Sequence, residues 1–164
     1  EAGRPFGLQP YGTEALSILR IEKGHVVSGE LNGRTTASDL GFAGLLKKDK
    51  DFVGKRSLAR PGLADENRKL LVGLVPADGR TAVPRGAQIV ESPDHPYPIP
   101  MLGEVTSQCF SPNLGHPIAL GIVAGGRSRY GKLLHALSPV TGGAVPVTVT
   151  HHVFIDPKGE RLRE

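Results

Sequence analysis

Four groups of residues in this chain are of types that do chemistry: an arginine on a short helix, six histidines, a single cysteine and a glycine-arginine loop. Arg20 lies in TEALSILRIEKG, just ahead of a glycine stop, and its planar five-donor guanidinium suits the polar edge of a pterin, or a carboxylate, held by two parallel bonds. The bland alternative, an exposed helix arginine or a local ion pair, is the commoner fate of such a residue. Residue type and position alone favour it. Neutral imidazole is a common ligand for zinc, copper and iron, but no HExxH or CxxC occurs. His151 and His152 are neighbours on an expected strand, where successive side chains point to opposite faces. No metal site is expected. Cys109 would be a nucleophile only beside a base that lowers its pKa; at a strand end next to Phe110 it is expected to be a small packing residue. GGRSRYGK (Gly125–Lys132) lacks the GxxxxGK[ST] spacing of a phosphate loop and a helix behind it, so it is expected to be a charged turn. No GxGxxG follows a strand, which excludes a dinucleotide site of that kind here.

The elements that must position these groups are legible from period and punctuation. Thr13 to Gly24 is the clearest helix, with Thr13 expected to cap its start and Gly24 to take the left-handed stop conformation. Glu14 and Lys23 sit at the ends the helix dipole favours. Ala15, Ile18, Leu19 and Glu22 follow i, i+3, i+4, i+7 spacing, so Glu22 continues an otherwise apolar stripe and is expected to be partly buried. Arg20 falls well around the helix from Glu22, which disfavours a direct pair between them and leaves Arg20 to find another acceptor. Asn32-Gly33 marks a turn among short connectors and strands. Asp51 to Arg60 holds about one and a half helical turns after Gly54, ending before Pro61. From Lys69 onward six strands are expected, within KLLVGLV, AQIVES, MLGEVTSQC, PIALGIV, GKLLHAL and VPVTVTHHVFI. Each is bounded by Gly, Pro, Asn or Asp, as in a small antiparallel barrel or jelly roll. In the last, Val145, Val147 and Val149 alternate with Thr148 and Thr150, giving one buried and one wet face.

Composition bounds the rest. At 164 residues the chain holds one good core or two small ones. Glycine (22) and proline (14) are abundant but punctuate apolar runs instead of clustering, so they mark turns and not disorder. Lysine and arginine number 20 against 16 acidic residues, and both signs are interspersed; nucleic-acid binding gains nothing from that pattern. No apolar run approaches the ~20 residues that cross a bilayer. One cysteine allows no intrachain disulfide and points to a reducing compartment, the cytoplasm. Glu1 opens no secretory leader and is expected to be a boundary within a longer chain.

Taken in order, YGTEALSILRIEKG, DLGF, KDFVGKRSL, RKLLVGLV, PRGAQIVES, PIPMLGEVTSQCFSPNLGHPIALGIV and GGRSRYGKLL resemble the end of the heterotetrameric sarcosine oxidase alpha-subunit family, over nearly the whole chain. The wider aminomethyltransferase, or glycine cleavage T-protein, family has RLEAG-like, DFIGK-like and GEITSGxFSPTLGxxIAL-like elements in the same order. PMLGEVTS and GGRSRYG favour the sarcosine oxidase branch.

That resemblance implies an α+β, β-rich chain. Residues 1–66 would be the last part of an α/β folate-binding domain, and 67–164 a C-terminal β-barrel domain. It implies that Arg20, matching the arginine of the RLE-type motif, helps hold the pterin of tetrahydrofolate, and that His25, where relatives often carry an aromatic residue, lines the same pocket. The family's acidic residues at the reaction centre lie upstream of these motifs, so no catalytic residue is assigned. NAD and flavin sites would lie elsewhere in the parent complex, and the partners would be the other oxidase subunits and reduced folate. The family tryptophan of DLGLSW-like strings is absent from Asp39-Leu40-Gly41-Phe42-Ala43-Gly44, and an arginine often found in LGRSxAL-like strings is His116 here. The implied role is to orient the pterin so that its amine meets the imine that flavin forms from sarcosine. Two readings compete with it: part of a stand-alone folate-dependent aminomethyltransferase, and a non-catalytic module that docks subunits.

Overall fold

The computed structural model describes residues 1–47 and 49–163. Ten residues, Thr13–Glu22, form helix α1, and four, Pro61–Ala64, form the short helix α2. Six strands follow: β1 (Lys69–Pro76), β2 (Gln88–Val90), β3 (Gly103–Ser111), β4 (His116–Ala124), β5 (Leu133–Leu137) and β6 (Ala144–Thr150). They close into an antiparallel barrel in the order β1-β4-β3-β2-β5-β6, with β6 pairing back onto β1. Each expected strand is present, and the architecture is a closed barrel and not a jelly roll, which leaves no sheet edge unpaired.

The barrel has two apolar layers because two of its strands are covered on both faces. Inside lie Val72, Leu74, Ile89, Val105, Ala119, Val123, Leu134, Ala136, Val147 and Val149, all almost fully buried. Outside β1 and β4, Leu71, Ile118, Leu120 and Ile122 pack against Ile21 of α1 and Leu40. Double coverage explains why KLLVGLV and PIALGIV are near-continuous apolar runs. β6, with no helix over it, shows simple alternation instead, and its valines do face inward.

β3 changes phase halfway. Its register against β4 shifts between Val105 and Ser107, the signature of a bulge, in which one extra residue re-aims the side chains beyond it. Val105 points into the barrel, whereas Cys109, four residues on, packs in the outer layer. Unbroken alternation would have put both on one face.

Several local expectations are revised. Gly12, not Thr13, is the N-terminal boundary of α1, and Leu16 N donates to the Gly12 carbonyl at 3.2 Å. The buried side of α1 is Ile21 and Glu22, with Leu16 and Leu19 about half exposed; the helix is rolled onto the barrel through its last turn. Residues 25–47 hold turns and a short 3-10 segment, Ala43–Leu45, but no strand. Asp51–Arg60 gives only the 3-10 turn Arg56–Ala59, and Pro61 opens α2 at the position where its missing N–H costs nothing.

The irregular stretch is tied to the barrel by ions. Asp39, 2% exposed, accepts from Arg68 Nε at 2.9 Å and from Arg68 Nη2, while its backbone carbonyl accepts from Leu71 N at 2.8 Å. Burial pushes the Asp39 carboxyl up, but the Arg68 and Thr36 bonds outweigh it and hold the group below the usual carboxylate range. Glu30, described below, is also held low. A carboxylate whose folded pKa is lowered contributes stability that is complete above its unfolded value of about 4, and loses it as the pH falls through the folded one. The part of the melting temperature owed to these two carboxylates, read as the difference between the parent and a variant lacking either one, is therefore expected to be constant from pH 7 to about 5 and to shrink below about pH 4. Asp39→Asn should lose about 2 kcal/mol at pH 7 and less in acid; a loss that stays the same in acid would refute the assignment.

Candidate functional site

α1 ends in a motif that fixes where Arg20 and His25 go. Gly24 N donates to the Ile21 carbonyl at 3.0 Å and His25 N to the Arg20 carbonyl at 2.7 Å, with Gly24 in the left-handed region at φ 70°. This is the Schellman stop, and the left-handed Gly24 is as the sequence predicts. A Cβ on Gly24 would stand 2.6 Å from the His152 carbonyl oxygen, so the position needs glycine for space as well as for conformation.

Arg20 reaches from α1 across to β3. Its Nη2 donates to Ser107 Oγ at 2.7 Å, and its Nη1 lies 3.5 Å from Glu30 Oε2. Ser107 Oγ in turn donates to Glu30 Oε1 at 2.7 Å, and Val27 N donates to Glu30 Oε2 at 2.9 Å. Glu30 is fully buried. Desolvation raises its pKa, but the hydroxyls of Thr106 and Ser107, the Val27 amide and the Arg20 charge together bring it below the usual range. Thr106 Oγ1 is also 3.1 Å from the Leu120 carbonyl, and its single proton serves one acceptor at a time. The result is a closed triangle, Arg20–Ser107–Glu30, that holds the guanidinium still.

Glu22 sits in a second polar cluster one turn on. It is 2% exposed and accepts from Ser111 Oγ at 2.5 Å and Asn113 Nδ2 at 2.8 Å. As the spacing predicts, it is buried and not paired with Arg20. Ser107 and Ser111 both follow the β3 bulge, which aims them at α1.

Beside these clusters lies an open cavity of about 410 Å³, lined chiefly by apolar surface. That size and character fit a small-molecule site. Arg20, Glu22 and His25 line one side with the exposed faces of Leu16 and Leu19; Ile155, Asp156 and Arg161 line the other. The second wall is strapped to α1: Phe154 N and Ile155 N donate to the Glu22 carbonyl at 2.9 and 3.1 Å, and Lys23 Nζ lies 2.9 Å from Asp156 Oδ2. Arg20 and His25 thus come together at one cavity. Sequence reasoning missed Glu30, Ser107, Ser111, Asn113 and the C-terminal strap. Only the alternation of Ser107, Cys109 and Ser111 hinted at a shared face.

Other singled-out groups fall outside the cavity. The Cys109 thiol is pushed up to about 11 by burial and by the nearby Glu22 charge, which suits a packing residue. His151 and His152 lie beyond the end of β6, and their rings stack at 4.6 Å instead of facing opposite ways, because the backbone there is no longer extended. Burial lowers His152 to about 4. Among the described residues no group of three or more His, Cys, Asp or Glu is arranged to hold a metal. In the glycine-arginine loop, now a 3-10 turn at Gly126–Arg129, Arg127 Nη2 donates to the Ser38 carbonyl at 3.1 Å and Arg129 pairs with Glu91 at 2.8 Å. No described helix is long and apolar enough to cross a membrane.

Comparison with known proteins places the fold. Residues 69–156 match the glycine cleavage T-protein C-terminal barrel domain. The chain is 42% identical, over 99% of its length, to the sarcosine oxidase subunit alpha of Rhizobium meliloti (strain 1021), of which it spans 16%. It is 35% identical, over 94% of its length, to an aminomethyltransferase of Streptomyces avermitilis, of which it spans 39%. The crystal structure of the glycine cleavage system aminomethyltransferase T from Bartonella henselae shares its fold, with a TM-score of 0.71 at 22% identity, over 89% of this chain and 39% of that one.

Proposed function

The chain belongs to the glycine cleavage T-protein family, its barrel being that family's C-terminal barrel domain, and from that premise we propose that the cavity between α1 and the C-terminal strap is one wall of a reduced-folate site. The observation that carries the proposal is Arg20 held by Ser107 and Glu30 at the edge of a mostly apolar cavity. A guanidinium has five N–H donors. Ser107, Glu30 and the His25 carbonyl engage at most three, leaving two for the polar edge of a pterin. The Leu16 and Leu19 side chains offer apolar surface to the flat ring, and His25 closes the same corner.

In this reading the chain works with a sarcosine oxidase alpha subunit's remaining domains, in the cytoplasm, with NAD and flavin held in the parent complex outside this chain. Tetrahydrofolate supplies the amine that accepts the one-carbon unit released when sarcosine is oxidatively demethylated. The residues of this chain bind and orient. Fixing a reactant beside its partner can be worth several kcal/mol, and the rigid Arg20 triangle is suited to that. The aminomethyltransferase reading keeps the same pocket with a different amine donor; the higher identity to the oxidase subunit, over more of the chain, favours the first.

The test is anaerobic calorimetry of the full-length protein with tetrahydrofolate, followed by single-turnover assays with sarcosine. Saturable binding and a sarcosine-dependent one-carbon folate product are expected. Absence of saturable binding refutes the folate site; binding with turnover of another amine but not of sarcosine moves the protein to the aminomethyltransferase reading.

A further inference from the structure

Three basic side chains line the cavity: Arg20, Lys23 and Arg161. Two already have an anion inside the protein. Arg20 faces Glu30, and Lys23 Nζ is 2.9 Å from Asp156 Oδ2 while also donating to the Asp156 carbonyl. Glu22, the remaining acid on the wall, is 2% exposed and accepts from Ser111 and Asn113. Among the described residues the Arg161 guanidinium has no acceptor. Yet its backbone is well placed, in the 3-10 turn Glu160–Leu162 that follows the left-handed Asp156 and Gly159. Asp156 Oδ1 accepts from Glu160 N at 2.8 Å, and the Lys23–Asp156 pair pins this turn to α1. An unpaired cation on a pinned turn, at the mouth of an apolar cavity, is an arrangement that favours an anionic ligand group.

We propose that Arg161 receives the carboxylate end of the ligand, while Arg20, neutralised within the protein, reads its uncharged polar edge. The assignment rests on the reduced-folate reading and deepens it: it splits recognition of the ring from recognition of the acidic tail. It also gives the ligand a direction in the cavity, with the ring against α1 and the tail toward the C-terminal turn.

The experiment titrates the full-length protein and its Arg161→Ala and Arg161→Lys variants with tetrahydrofolate and with 6-methyltetrahydropterin, which has the ring and no carboxylate. Arg161→Ala should weaken tetrahydrofolate about tenfold and leave 6-methyltetrahydropterin unchanged; Arg161→Lys should recover part of the loss. A thermal melt of each variant within about 1 °C of the parent is expected, because no partner is lost. Equal weakening of both ligands, or no change in either, overturns the assignment while leaving the folate site standing. Failure of the parent protein to bind either ligand overturns the folate site, and the assignment with it.

Discussion

Replacing Arg20 by alanine is expected to weaken tetrahydrofolate binding by about thirty- to a hundredfold, and to destabilise the fold by about 1–3 kcal/mol at pH 7. The first figure is that of a buried arginine anchor at a binding surface. The second comes from Glu30, which would keep the bonds from Ser107 and Val27 but lose the cation facing its buried carboxylate. The two effects separate in a double substitution. Arg20→Ala with Glu30→Gln removes the stranded charge, so urea unfolding should return most of the stability while calorimetry still finds the affinity lost. Glu30→Gln alone should loosen Arg20 and weaken binding by a smaller factor, through position and not through contact. Parental affinity in Arg20→Ala would end the folate assignment of this residue. A double variant as unstable as Arg20→Ala would instead mean that the arginine supports the fold by packing.

A large loss of stability from a single methyl group is expected at Gly24, where the backbone conformation and the space available both demand glycine. Alanine there must hold φ at 70° and put its Cβ 2.6 Å from the His152 carbonyl oxygen and 2.9 Å from His152 Cδ2. The left-handed conformation alone costs about 1 kcal/mol. A backbone carbonyl cannot swing aside as a side chain can, and His152 is itself wedged against Gly41, where an added Cβ would meet its Cε1 at 2.8 Å. A total of about 3 kcal/mol or more is expected, a fall in Tm near 10 °C for a chain of this size. Gly33→Ala is the control, since nothing lies within 4 Å of a Cβ there and its φ is not left-handed. Similar Tm values for the two variants would refute the account.

What was legible in the sequence follows the range of the forces involved. Each of the six strands could be found because alternation and turn chemistry are local, and α1 because its period and glycine stop are local too. The helix boundary slipped by one residue, and Ile21 replaces Leu19 beside Glu22 on the buried side, because Leu19 is as apolar as Ile21 and only the barrel decides which is covered. His151 and His152 were assigned to a strand because Val153, Phe154 and Ile155 continue the apolar run. The chain instead leaves the sheet after Thr150 to strap the end of α1. Arg20 and His25 stood out through family resemblance, and the fold brings both to one cavity. Glu30 could not be found at all. It sits in a turn sequence, GELNG, where an acidic residue normally meets water, and its partner Ser107 is 77 positions away.

The bulge in β3 gives that strand two reading frames. Before it, side chains such as Val105 belong to the barrel's interior; after it, Ser107, Cys109 and Ser111 belong to the surface under α1. One extra residue thus divides a single strand between two layers, the barrel's interior and the seat of α1. Under the proposed reading, substitutions at Ser107 or Ser111 would act on the pocket wall and the α1 contact while leaving the interior packing around Val105 in place.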